Sequence, residues 1–227
     1  MTKKTTTICC ALALLATTAA TPALSQSKNF TGPSIAIGAG YNTYQQPLKY
    51  EEGGENLTIG GSKENFMGVV DVSYGFDLGT NSLLSFGANY NFNNSKADVF
   101  NFDDGNDTLK ITGKLKDQYA IYAQPTYALS NNTAIFGKLS YNFAKASYTL
   151  TATGTDNGSA TGSEDIEGWG YGAGIKTFLD KNLYIQVEGN FVDYKKASST
   201  ETVGTSTYVI SSEPKSLSAL VSIGYKF

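Results

Sequence analysis

The sequence predicts an all-β fold, an eight-stranded antiparallel up-and-down transmembrane β-barrel over residues 26–227, behind a signal peptide at 1–25. Three observations predict it. Eight segments alternate between bulky apolar residues and small or polar ones, which marks strands whose two faces meet different environments. The connections between them alternate between short turns and long polar stretches, as in a barrel with a plain end and an elaborated end. The less apolar face is built of Gly, Ser, Asn and Gln with few charges. That suits a narrow lumen better than the charged exterior of a soluble barrel such as a lipocalin.

The first segment, Pro33 to Thr43, sets Ile35, Ile37, Ala39 and Tyr41 against Ala36, Gly38, Gly40 and Asn42. The second, Phe66 to Phe76, sets Phe66, Val70, Val72, Tyr74 and Phe76 against Met67, Val69, Asp71, Ser73 and Gly75. The third, Leu84 to Phe92, is the cleanest, with Leu84, Phe86, Ala88, Tyr90 and Phe92 opposing Ser85, Gly87, Asn89 and Asn91. In the fourth, Tyr119, Ile121, Ala123, Tyr127 and Leu129 oppose Gln118, Ala120, Tyr122, Gln124 and Thr126. Pro125 lacks a ladder donor and belongs near a strand end or bulge.

The fifth segment opposes Ile135, Leu139, Tyr141 and Phe143 to Lys138, Ser140 and Asn142. The sixth opposes Trp169, Tyr171, Ala173 and Ile175 to a run of alternate glycines ending in Lys176. The seventh opposes Leu183, Ile185, Val187 and Phe191 to Tyr184, Gln186, Glu188 and Asn190. The eighth opposes Leu217, Ala219, Val221, Ile223, Tyr225 and Phe227 to Ser218, Ser222, Gly224 and Lys226. Short turns fall at Asp77 to Ser82, Ser130 to Thr133 and Leu179 to Asn182. Connections of roughly twenty residues at 44–65, 94–116, 146–166 and 195–214 are rich in Gly, Ser, Thr, Asn and Asp. These are loops or extended strand tips. Aromatics near strand ends fit two belts at the interfaces of a bilayer.

The first 25 residues are a separate matter. Lys3 and Lys4 precede the apolar run Ile8 to Ala16, and Ala23-Leu24-Ser25 offers a small-x-small cleavage site before Gln26. This is a secretory signal, too short to span a bilayer as a helix. Both cysteines, Cys9 and Cys10, lie within it, so the mature chain is expected to carry no disulfide and no thiolate chemistry. A lipoprotein would need its Cys at the cleavage point, after the apolar run. Removing Lys3 and Lys4 leaves 15 lysines against 20 acidic residues, a net charge of −5, and the sequence has no Arg or His. Nucleic acid is therefore an unsuitable partner. Catalysis by His, Cys nucleophiles and Cys/His metal sites have no residues to work with, so the chain reads as non-enzymatic and without cofactor or metal.

Four ionisable residues point into the lumen: Asp71, Lys138, Lys176 and Glu188. Charges at that depth must be paired or hydrated. Lys138, Lys176 and Glu188, on neighbouring strands, are expected in one layer with Gln124, Gln186, Tyr122 and Tyr184 close by. The resulting network plugs the barrel; the alternative is that it gates a narrow pore. Asp103-Asp104-Gly105-Asn106-Asp107 crowds oxygen donors but lacks the spacing and closing Glu of an EF-hand, and reads as a solvated turn. The long connections carry acidic clusters: Glu51, Glu52, Glu55 and Glu64 in the first, Asp156, Glu164, Asp165 and Glu167 in the third.

With these residues in view, 33–227 resembles the small outer-membrane barrels of the OmpA/OmpX-type and opacity-protein (Opa-like) superfamily. The final strand, Leu217 to Phe227, alternates and stops on an aromatic, and Gly168 to Lys176 (GWGYGAGIK) is also typical of that group. The resemblance implies a place in the cell outer membrane of a Gram-negative bacterium, among outer-membrane lipid and lipopolysaccharide. It implies that Tyr225 and Phe227 form the signal for the barrel-assembly machinery, and that the four outer loops serve adhesion or antigenic recognition of a host-cell or phage ligand. A small porin-like channel and a purely structural envelope barrel are the alternatives. The chain stops at Phe227, so the peptidoglycan-binding domain of full-length OmpA proteins is expected to be absent and wall anchoring is not carried over.

Overall fold

A computed structural model describes residues 26–52, 55–103, 108–153, 158–203 and 206–227. The expected signal peptide with its two cysteines, Asp156, and all but Asp103 of the acidic stretch expected to turn at 103–107 lie outside these residues. A short 3-10 turn, Gln26–Phe30, leads into eleven strands: β1 (Gly32–Glu52), β2 (Glu55–Asp77), β3 (Ser82–Asn91), β4 (Ser95–Asp103), β5 (Thr108–Ala128), β6 (Thr133–Thr153), β7 (Gly158–Phe178), β8 (Leu183–Tyr194), β9 (Ala197–Val203), β10 (Ser206–Ser212) and β11 (Lys215–Lys226).

At membrane height these make eight staves, because β4 continues β3 and β9 and β10 extend β8 and β11. Neighbours are antiparallel throughout, and β11 pairs back onto β1 from Ser34↔Lys226 to Gln45↔Lys215. Closure leaves no edge there, as strands in lipid require, since an unpaired backbone group has no water to bond.

The faces follow the alternation. Ile37, Tyr41, Phe66, Phe86, Ile121, Tyr171, Val221 and Phe227 are exposed on the outer wall, whereas Ala36, Asn42, Tyr122, Lys138, Tyr184 and Glu188 are buried. An apolar exterior around a partly polar interior is the inverse of a soluble barrel, and lipid is the solvent that stabilises it. The aromatics pack in bands. Tyr41 meets Phe66, Tyr119 stacks on Phe143 and Tyr141 meets Trp169 at one level, with Tyr74, Phe76 and Phe86 in contact at the other. From Phe66 to Phe76 a strand covers roughly 33 Å, and at a tilt of about 40° this gives the ~25 Å apolar height of an outer-membrane barrel.

The strands are about twice as long as that crossing needs. β1, β2, β5, β6 and β7 each run 21–23 residues. The expected long connections are therefore strand tips for most of their length: β1 and β2 stay paired to Glu52↔Glu55, and β6 and β7 to Ala152↔Gly158. Above the membrane neither face is constrained by lipid, so the sequence there loses its alternation. The ladder nevertheless continues, since each added pair extends a register already set below.

Two irregularities re-aim the wall. The β5–β6 register shifts between Lys116 and Tyr119, where Asp117 takes φ +49°, so one extra residue is accommodated and the faces of β5 exchange. Below the bulge Tyr122 and Gln124 face inward; above it Leu115 does. Pro125 sits three residues before the end of β5, and the β5–β6 ladder is broken at Gln124 and Pro125, as the missing donor dictates.

Candidate functional site: a filled lumen

The lumen is filled in three layers. At the short-turn end the 3-10 turn tucks under the barrel. Phe30 packs edge-on against Phe178, and Phe178 against Tyr184, in a cluster with Ala36, Leu83, Ala128 and Ala134. Polar bonds hold this cork in place. The Ser27 hydroxyl lies 2.8 Å from the Asp77 carboxylate and 2.6 Å from the Gly79 carbonyl, free to donate to either, while its N–H donates to Thr80 O. Asn29 donates to the carbonyl of Asn131. The Ser27 hydroxyl, followed by the Gly79 N–H, holds the Asp77 carboxyl below the usual carboxylate range.

The middle layer is polar. Lys138 Nζ donates to Glu188 at 2.7 Å, with side chains only 3% and 4% exposed. Gln186 and Asn190 each donate to the same carboxylate, at 2.8 and 2.9 Å. Tyr122 donates to Asp71 at 2.8 Å, and its ring lies 4.4 Å beneath the Lys138 ammonium. Lys138 thus joins the two halves through one ion pair and one cation–π contact.

Glycine makes this geometry available. Lys138 on β6 and Glu188 on β8 are separated by β7, and they meet above Gly172 and Gly174. A Cβ on Gly172 would come within 2.1 Å of Asn190, and one on Gly174 within 2.4 Å of Phe136. Likewise Tyr122 reaches Asp71 across β3 above Gly87, where a Cβ would meet the phenol at 2.4 Å. The alternating glycines let side chains from flanking strands cross a stave without a barrier.

Of the expected lumenal residues, Asp71, Lys138, Gln186 and Glu188 are brought together. Gln124 is buried on the same face, with no side-chain hydrogen bond to these four. Lys176 departs from expectation. Its register, opposite Ala134 and Gln186, sets it nearer the short turns, where it stands 4.4 Å over the Tyr184 ring and forms no ion pair with the Lys138 layer. It is one level too low because it lies two residues further along β7 than Gly174, the partner of Glu188. Asn190 belongs to the network, although a neutral amide gives no sequence signal of that role. A cavity of about 70 Å³ lies beside the Lys138–Glu188 pair, with Asn42, Asn89, Asn91 and Asn142 as well as Met67, Val69 and Leu220 in its lining. It has room for a few waters.

The upper layer is apolar and draws on residues within, or at the edge of, segments that read as polar connections. Tyr44, Ala97, Leu115, Ala144, Ile166 and Tyr194 pack together, with Tyr44 and Leu115 fully buried. β4 completes it by leaning toward β2, with its backbone so close that a Cβ on Gly61 would lie 1.6 Å from Asp98 O. Lys63 bonds Asp98 at 3.0 Å, and the Asn65 amide clasps the backbone of Lys96 from both sides. Further exposed ion pairs rim the wall: Lys145–Asp165, Lys215–Asp193 and Lys195–Glu167.

A closed antiparallel barrel with a lipid-facing exterior, aromatic belts and a packed interior defines a small outer-membrane β-barrel. Residues 9–227 match the family described as the outer membrane protein beta-barrel domain, and the chain belongs to that family. Its place is therefore the outer membrane of a Gram-negative bacterium. No curated protein matches the sequence. Among solved structures, the outer membrane protein OprG from Pseudomonas aeruginosa is similar at 15% identity and a TM-score of 0.50, over 87% of this chain and 97% of that one. Ail, the attachment invasion locus protein of Yersinia pestis, aligns at 14% identity and a TM-score of 0.44, over 87% and 99%. The outer membrane protease OmpT from Escherichia coli aligns at 10% identity and 0.43, over 91% and 99%. At such identities the likeness concerns the fold.

Proposed function

We propose that this chain is a non-conducting, non-enzymatic outer-membrane barrel, exported by cleavage after Ser25, that presents its protruding strand tips as a recognition surface. The observation that carries the reading is the three-layer filling of the lumen. Two apolar layers bracket a paired polar one, so a solute or ion would have to displace Phe30, the Lys138–Glu188 pair and Tyr44 in turn. The wall above the membrane is paired strand braced by Lys63–Asp98 and by the close approach at Gly61. Such a platform loses little conformational freedom when a partner docks on it, which favours adhesion or antigenic display over a merely passive envelope barrel.

Two measurements test this. Purified protein in planar bilayers should give no steady unit conductance; reproducible openings would overturn the sealed-lumen reading in favour of a small channel. Replacing 48–59 and 150–160 by short turns should leave the barrel assembled and abolish binding of cells to the expressing bacterium. Unchanged adhesion and unchanged phage sensitivity would instead indicate a structural barrel.

A further inference from the structure

On the outer wall, immediately above the upper aromatic belt, the sheet sets lysines against lysines. Lys96 on β4 lies directly opposite Lys114 on β5, and Lys116 directly opposite Lys145 on β6. Directly opposed residues share a face, and like charges there are mutually destabilising unless an anion lies between them. Lys96, Lys114 and Lys116 form no ion pair with a described residue, and Lys145 has only Asp165 at 3.7 Å. In a chain whose acidic residues outnumber its basic ones, such a concentration on three neighbouring strands, with only Asp98 and Asp165 among it, favours an added anion.

A second feature adjoins it. The Asp117 bulge parts β5 from β6 between the Lys116↔Lys145 and Tyr119↔Phe143 pairs. A groove of about 320 Å³ opens there, lined by Asp117, Tyr119, Phe143, Lys145, Asp165 and Glu167. Tyr119 and Phe143 stack within it, 4.9 Å apart and 14° from parallel. Glu167 is occupied by Lys195 and Asp165 by Lys145, which leaves Asp117 to accept from hydroxyl donors. Aromatic rings, carboxylates and adjacent cations together are the chemistry that takes a phosphorylated sugar. The height is equally specific, since Lys145 is one same-face step, roughly 7 Å, beyond the belt residue Phe143 and so at headgroup level.

We propose that this wall binds the phosphorylated sugar headgroup of an outer-leaflet glycolipid, with phosphate held by Lys96, Lys114, Lys116 and Lys145 and a sugar ring seated in the Tyr119–Phe143 groove. The proposal rests on the outer-membrane placement and adds a defined site to it. The test uses the full-length barrel in phosphatidylcholine nanodiscs, titrated with bis-phosphorylated lipid A, monophosphorylated lipid A or phosphatidylglycerol, and read by native mass spectrometry. Wild type should retain bis-phosphorylated lipid A most tightly. K114Q/K116Q should bind it on the order of ten-fold more weakly, from two lost lysine–headgroup attractions. K215Q, on the far wall, should bind as wild type, and Y119L should lose lipid A affinity without losing phosphatidylglycerol. Equal binding by wild type and K114Q/K116Q, or equal retention of phosphatidylglycerol and lipid A by wild type, overturns the site. Failure of wild type to insert, seen as absent heat-modifiable migration, overturns the membrane placement itself and is a separate readout.

Discussion

Lys138 and Glu188 offer the sharpest perturbation of the lumen. The pair is 2.7 Å apart, almost wholly buried, and Glu188 accepts from three side chains. Replacing Lys138 by Met keeps the volume but leaves a buried carboxylate with only the amides of Gln186 and Asn190. Breaking a buried pair from one side costs about 3–5 kcal/mol, whereas exchanging both partners for neutral groups of similar shape is often close to neutral. K138M alone should therefore lose about 3 kcal/mol or more, and K138M/E188Q should recover most of the loss. Urea unfolding in lipid bilayers, followed by the shift from folded to unfolded gel migration, measures all members of the cycle. The conductance of K138M should remain nil, because the Phe30 and Tyr44 layers still close both ends. Single substitutions costing under about 0.5 kcal/mol with no coupling would mean the pair is hydrated, and the packed-lumen account would be wrong.

Other outcomes follow from individual residues. L115A removes a fully buried side chain from the upper layer and should cost about 2–5 kcal/mol by the same unfolding assay, with the protruding tips becoming protease-sensitive. F30A should cost about 3 kcal/mol and free the 3-10 turn, read as loss of amide-exchange protection at residues 27–31. The Asp77 carboxyl is held below its ordinary value of 3.8, so its contribution to that cork is complete above about pH 4 and vanishes as the pH falls through the lowered value. Protection at Ser27 should be constant from pH 7 to 5 and fall only in strong acid; a loss near neutrality would contradict it. D117G should stabilise the barrel by about 0.5–1 kcal/mol by relieving the positive φ, and D117V should destabilise it by a similar amount or more. F227A removes the ring packed on Tyr225, and should lower the yield of assembled barrel in cells while leaving refolded stability within about 1 kcal/mol.

The strand count, the outward and inward faces and the polar lumen were legible because each depends on a period of two within a single segment. Ile35, Ile37 and Tyr41 on one side and Asn42 on the other need no knowledge of any neighbour. That Asp71, Lys138 and Glu188 face inward was equally local, and so was the requirement that charges there find partners. That Lys138 and Glu188 share a layer with Gln186 and Tyr122 nearby was expected as well, but how they reach one another was not. Lys138 meets Glu188 over a stave that belongs to neither, and Tyr122 meets Asp71 in the same way, so the contacts depend on lateral order, shear and the absence of a Cβ at Gly172, Gly174 and Gly87. The apolar cap was hidden for a related reason. Tyr44, Leu115, Ile166 and Tyr194 are scattered among polar residues in segments that face water on the outside, so no period marks them. Only the convergence of four strand tips, and a one-residue bulge at Asp117 that turns Leu115 inward, makes a core of them. Sequence alone determined that this is a lipid-facing barrel with a polar interior, since side-chain alternation is a property of one strand. The tertiary structure decided how that interior is packed, because the packing depends on side chains from strands distant in sequence occupying the same space.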